Sequence, residues 1–109
     1  MTYQELLKEA AGLKCDESRA RLDNYFEIVV SKTDLPPAEA LLRSYFGDPL
    51  KPAGVSVPAD LALLTRPYGG VQINQTAYLF QGLDRKEFAF LWPWSNGLSI
   101  TIKIMIEKK

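Results

Sequence analysis

Leu98-Ser99-Ile100-Thr101-Ile102-Lys103-Ile104-Met105-Ile106-Glu107 is the stretch that decides the fold. Leu98 and the four isoleucines take every second position, the period-two pattern of a β-strand with one buried face. Phe88, Phe90, Trp92 and Trp94 form an aromatic stripe of the same period just upstream. Further back, Tyr68-Gly69-Gly70 reads as a turn into another β segment, from about Val71 to Phe80. The chain from about Gly70 to Lys109 is therefore expected to fold as a three-stranded antiparallel meander.

The loop between the two stripes determines whether they share a face, because paired residues of an antiparallel ladder project from the same side of the sheet. If Ser95-Asn96-Gly97 is a three-residue loop with Gly97 left-handed, Trp94 pairs with Leu98, Trp92 with Ile100, Phe90 with Ile102 and Phe88 with Ile104. One face is then apolar, and Leu91, Lys103 and Met105 lie on the outer one. If Asn96-Gly97 is a two-residue turn, Ser95 pairs with Leu98 and Trp92 with Thr101, the stripes part, and the tryptophans face outward. The three-residue loop is preferred, because it gathers four large pairs on a common face.

Towards the N-terminus, Thr2 and Glu5 have the spacing of a capping box, opening a helix with Leu6, Ala10 and Leu13 on one face and Gly12 near its end. Tyr25 to Val30 is rich in β-formers and reads as a strand, with Arg19 to Leu22 a short partner joined through Asp23-Asn24. A second helix is expected from about Leu35 to Phe46, with Asp34 as N-cap, Pro36 and Pro37 in its first turn and Gly47 closing it. Asp48 to Pro58, with three prolines and a glycine, reads as an ordered loop, and Ala59 to Thr65 as a short third helix. The expected fold is one α+β domain over residues 1–109. Its antiparallel sheet has four to five strands, the C-terminal meander plus an N-terminal strand or hairpin, packed on two helices with a possible third.

Size and composition agree, since 109 residues with 47% apolar side chains can bury a core without staples. Lysine plus arginine balances aspartate plus glutamate at 13 each, and no basic block lies on one element, so nucleic acid is not an expected partner. No apolar run has the length of a membrane span, and the charged first 14 residues do not resemble a signal peptide. A cytoplasmic location is the expectation, consistent with a single cysteine, Cys15.

The absence of histidine removes the commonest general base and metal ligand, together with serine–histidine and cysteine–histidine nucleophile pairs. Cys15 sits beside Asp16 and Glu17, the opposite of the electropositive setting a nucleophilic thiolate needs, and reads as structural. One thiol without imidazole gives no zinc set, and no carboxylate spacing forms a calcium loop. No catalytic residue, metal or cofactor is assigned. The candidate binding surface comprises Trp92 and Trp94 near a hairpin tip, Arg66 and Tyr68 at a pocket rim, and Asn74, Gln75 and Tyr78 as polar groups beside it. The expected function is a non-catalytic interaction module that docks a protein partner, or itself, through the outer sheet face or the terminal strand edge. The alternative is a small-molecule binder or histidine-independent enzyme with a pocket under residues 48–70.

Overall fold

Thr2 opens helix α1 (Tyr3–Ala11) with the full capping box: its hydroxyl accepts from the Glu5 N–H, and the Glu5 carboxylate accepts from the Thr2 N–H. Strands β1 (Glu17–Arg21) and β2 (Tyr25–Ser31) follow as a hairpin closed by the Leu22 N–H on the Tyr25 carbonyl. Helix α2 (Leu35–Phe46) ends at Gly47, whose φ of 80° is open to glycine at little steric cost. Asp34 stands at the N-cap position of α2 but makes no side-chain cap bond. Ser31 instead caps the single 3-10 turn that precedes it. Helix α3 (Ala59–Thr65), a 3-10 turn (Arg66–Tyr68) and strands β3 (Thr76–Gln81), β4 (Arg85–Pro93) and β5 (Ser99–Lys108) complete the chain. The computed structural model describes residues 1–108, and no helix among them is long and apolar enough to cross a membrane.

The five strands form one antiparallel sheet in the order β1-β2-β5-β4-β3. β5 is therefore central, bounded by β2 and β4, and the expected docking along the terminal strand's edge has no free edge to use. Strand β3 begins at Thr76 rather than near Val71. Val71 to Gln75 stays outside the ladder, with the Gln72 N–H held by the Gln75 side chain and the Gln75 N–H by the Gln72 carbonyl.

The β4–β5 register corrects the preferred pairing. Trp92 faces Thr101, Phe90 faces Lys103 and Phe88 faces Met105, while Ala89 faces Ile104 and Leu91 faces Ile102. Gly97 is left-handed as expected (φ 71°), but the loop is one residue longer than assumed. The Trp94 N–H bonds the Ser99 carbonyl, leaving Ser95 to Leu98 as the loop, and the Asn96 side chain accepts from the N–H groups of Leu98 and Ser99. Two acceptor bonds from one asparagine hold Leu98 out of the ladder. The isoleucine and aromatic stripes consequently lie on opposite faces.

The first face is covered by α1 and α2 and the aromatic half of the second by the segment carrying α3, which removes the reason for wanting a single apolar wall. On the first face, Tyr3, Leu6 and Ala10 of α1 and Ala38 and Leu42 of α2 pack on Phe26, Ile28 and Val30 of β2, Ile100, Ile102 and Ile104 of β5, and Leu91 of β4. Leu91 thus belongs to the helix-covered core and not to the outer face. On the second, Leu61 of α3 joins Ala77, Phe88, Phe90 and Met105, with Val57, Tyr68, Val71 and Trp92 packed around them. Pro93 fits at the end of β4. Because the Trp94 N–H points to β5, the Pro93 nitrogen points towards β3, whose ladder has already stopped at the Thr76–Leu91 pair.

Candidate functional site

The second face is only partly roofed. The segment from Asp48 to Gln75 covers the β3–β4 half, and the side chains of β1, β2 and β5 form their own surface beyond it. There the two tryptophans each carry a cation. Arg19 of β1 lies over Trp94, 5.5 Å from the ring centroid, and the Lys103 ammonium is 3.5 Å from the centroid of Trp92. Such contacts contribute ~0.5–2 kcal/mol each, according to how far the pair is desolvated.

The two tryptophans differ. Trp94 is 37% exposed and its Nε1 donates to Thr101 at 2.7 Å. Trp92 is half-buried beneath the turn at Gly69, where a side chain at Gly69 would meet the indole ring, and its Nε1 is buried without a hydrogen-bond partner among the described residues. The two cations differ as well. Arg19 pairs with Glu17 at 3.2 Å and with Glu27 at 3.4 Å. Lys103 has no carboxylate within ion-pair distance among the described residues, and its burial lowers its pKa.

Beside Lys103 opens a cleft of about 290 Å³ lined by Asn24, Tyr25, Tyr68, Lys103, Met105 and Ile106. The Tyr25 hydroxyl donates to Glu27 and the Tyr68 hydroxyl to Glu107, so both rings are held in place as walls. Burial and the neighbouring carboxylates push the Tyr68 phenol up to about 12 and Tyr25 in the same direction. Both hydroxyls therefore stay protonated and keep donating. The cleft has tyrosine walls, a Met105 floor and the Lys103 ammonium, whose cross-strand neighbour Glu27 lies beyond ion-pair distance.

Of the residues singled out from the sequence, Tyr68, Trp92 and Trp94 lie on this face. Arg66 is exposed on the 3-10 turn next to Tyr68, with no side-chain hydrogen bond among the described residues. Asn74 is exposed in the preceding loop, and the Gln75 side chain is used within that loop. Tyr78 is placed elsewhere: it is buried on the helix side of the sheet, its ring 5.8 Å from that of Phe46. In β3, Thr76, Tyr78 and Phe80 alternate with Ala77 and Leu79, and the Tyr78–Ala89 pair puts Tyr78 with the isoleucine set.

Two buried charges were not foreseen. Glu87, 0% exposed, lies under the helices, where it accepts from the Tyr45 hydroxyl and from Nε of Arg85. The signal was available, since Glu87 shares the phase of Ala89 and Leu91 along β4. The buried Tyr3 hydroxyl nearby has no partner among the described residues, and burial together with Glu87 raises its pKa. A cleft of about 650 Å³ opens alongside, rimmed by Asp23, Asp84, Arg85 and Lys108.

Lys51 is the second. It is buried in the 48–75 segment, and its ammonium donates to the carbonyls of Pro52 (2.9 Å), Ile73 (3.0 Å) and Gln75, using all three of its protons. Its backbone also bridges Ala77 of β3. The space under residues 48–70 is filled by Leu61, Val57 and Tyr68 against Phe88 and Phe90, and the nearest groove opens at the rim. No protein-family model matches this chain, nor does any curated protein or solved structure.

Proposed function

We propose that this protein is a non-catalytic interaction module that docks a protein partner on the aromatic half of its outer sheet face. In this reading an acidic side chain of the partner enters the cleft between Tyr25 and Tyr68 and pairs with Lys103. The observation that carries it is Lys103 itself. The ammonium is half-buried, stacked on Trp92 and lining a cleft, and its cross-strand neighbour Glu27 is beyond ion-pair distance and already bonded to Arg19 and Tyr25, so a partner's acid at close range relieves its desolvation cost. Exposed Trp94, outside the cleft but on the same face beside Arg19, adds the kind of aromatic anchor on which interface energy concentrates.

A small-molecule alternative finds its best support in the cleft beside Tyr3. Asp23 and Asp84 oppose Arg85 and Lys108 around its rim, leaving no preferred ligand charge. The interaction reading is therefore favoured.

Its test is a random-peptide array probed with the folded chain. Peptides carrying Asp or Glu flanked by apolar residues should be enriched, binding should change Trp92 fluorescence, and Lys103→Glu should exchange the preference for acidic peptides for basic ones. Equal enrichment by the wild type and Lys103→Met would reject this site.

A further inference from the structure

We infer that the chain pairs with a second copy of itself along the outer edge of β3, in antiparallel register about a two-fold axis at Phe80. This rests on the sheet edge and is independent of the Lys103 cleft.

The direction of the free backbone groups follows from two sets of bonds. The Gly82 N–H bonds the Arg85 carbonyl inward, towards β4, while Ala77 exchanges both of its backbone bonds outward with Lys51, at 3.0 and 3.2 Å. Alternation along the strand then turns the N–H and C=O of Leu79 and Gln81 outward. Neither residue's outward groups have a protein partner among the described residues. Lys51 blocks the strand at Ala77, so the available edge begins at Leu79.

Unpaired strand edges ordinarily carry charge, proline or a bulge that discourages pairing. From Thr76 to Leu83 there is neither a charged residue nor a proline, and the β3–β4 register runs without a break. Large apolar side chains flank this edge. Phe80 is 42% exposed on the helix side with the Arg85 guanidinium over its ring at 5.0 Å, Leu83 at the hairpin tip is 99% exposed, and Leu63 of α3 is 62% exposed. On the α3 side a groove of about 590 Å³ runs along the edge, lined by Leu50, Leu61, Leu63 and Leu79, with Asp60 and Gln81 also on its walls.

A second copy fits this edge best. With Phe80 facing the partner's Phe80, Leu79 of each copy exchanges both backbone bonds with the partner's Gln81, giving four bonds in all. The two phenylalanines meet on the helix side. On the other side the two α3 helices approach across the axis and bring their exposed leucines into the joined grooves. Leu83 reaches the partner's Leu50 beside the blocked Ala77 position. From Thr76 to Leu83 the strand itself carries no charge, so the paired backbones and their own side chains meet without like-charge repulsion, with Arg85 over each Phe80 ring and Asp60 on each groove wall as the flanking charges.

Sedimentation equilibrium of the full chain tests the pairing. The wild type should be a dimer. Phe80→Lys and Phe80→Glu, each placing like charges at the axis, should weaken it about 100-fold or more, whereas an equimolar mixture of the two should restore it. Gln81→Pro removes an outward N–H without touching the β4 ladder and should also give monomers whose far-ultraviolet circular dichroism is unchanged. A wild type that stays monomeric up to its solubility limit overturns the proposal, as does a dimer indifferent to Phe80→Lys and Gln81→Pro. If the two charged variants fail to pair when mixed, the two-fold register is wrong.

Discussion

The two covers of the sheet each bury one ionisable side chain, and each solves that problem with different chemistry. Beneath α1 and α2, Glu87 is satisfied by other side chains, Tyr45 and Arg85. Beneath the irregular segment, Lys51 is satisfied by main-chain carbonyls. The difference follows from the backbone. A helix uses its own N–H and C=O groups internally and offers none to a buried charge, whereas an irregular segment brings in carbonyls that need donors. Lys51 supplies three donors from one side chain. It does for the 48–75 segment what hydrogen-bond periodicity does for a helix.

The largest effects should come from the cores themselves. Phe90→Ala should cost about 3–5 kcal/mol and Ile102→Ala about 2–5 kcal/mol in denaturant unfolding, because β4 and β5 are common to both faces. If Phe90→Ala instead freed only the outer segment and left the global midpoint unchanged, the outer cover would be a detachable lid. Lys51→Met separates the covers more finely. Leaving carbonyls without donors costs about 1–3 kcal/mol for each that water cannot reach. The loss should be local, seen as faster amide hydrogen exchange at Gly54 and Ala77 with α1 and α2 still protected. Uniform loss of protection would contradict the division into two covers.

Alkaline titration compares the covers through their phenols. All five tyrosines have pKa values raised above the ordinary 10, chiefly by burial, with Tyr68 of the outer face at about 12. A raised folded value means that the unfolded chain loses its phenol protons first. The tyrosine contribution to stability is therefore complete below pH ~10 and is lost as pH rises through the folded values. Lys51 and Lys103, with lowered values, act in the opposite sense. Phenolate absorbance isolates the tyrosines. It should stay low past pH ~10, and Tyr68→Phe should remove an early-ionising component. Absorbance rising at pH ~10 in the folded protein would contradict the burial of these rings. The smallest effect expected is Trp94→Phe. Losing the Thr101 bond at a partly exposed position should cost ~0.5–1.5 kcal/mol, read as a modest shift of the urea midpoint.

How much of this was legible depends on the range of each signal. The capping box at Thr2, the end of α2 at Gly47 and the C-terminal strand are local patterns, and they appear in the structure as expected apart from Leu98, which stays in the loop before β5. The face assignment was not local. It turned on the Asn96 side chain holding Leu98 and Ser99, and on whether residues 48–75 would cover the aromatic stripe. Once two covers exist, gathering the stripes on one side offers no advantage. Lys51 was hidden for a related reason. It is the only charged residue between Pro49 and Ala59 and resembles an ordinary surface lysine until the Ile73 and Gln75 carbonyls arrive from a distant part of the chain. Of the candidate surface, the sequence pointed to Trp92, Trp94 and Tyr68, which lie on the outer face, while Lys103 and Arg19 joined them only through the register.

The central position of β5 also bears on how the chain can be made. Tyr25 pairs with Met105 and Ser31 with Ser99, so within the sheet the early β1–β2 hairpin and the late β3–β4 hairpin are joined only by the strand between them. A nascent chain on the ribosome holds two half-sheets with exposed apolar faces until β5 has emerged. Folding should thus be completed only after synthesis has passed β5, at the slow rate expected of non-local pairing. A polypeptide stopped before Ser99 should be a substrate for chaperones rather than a smaller version of this protein.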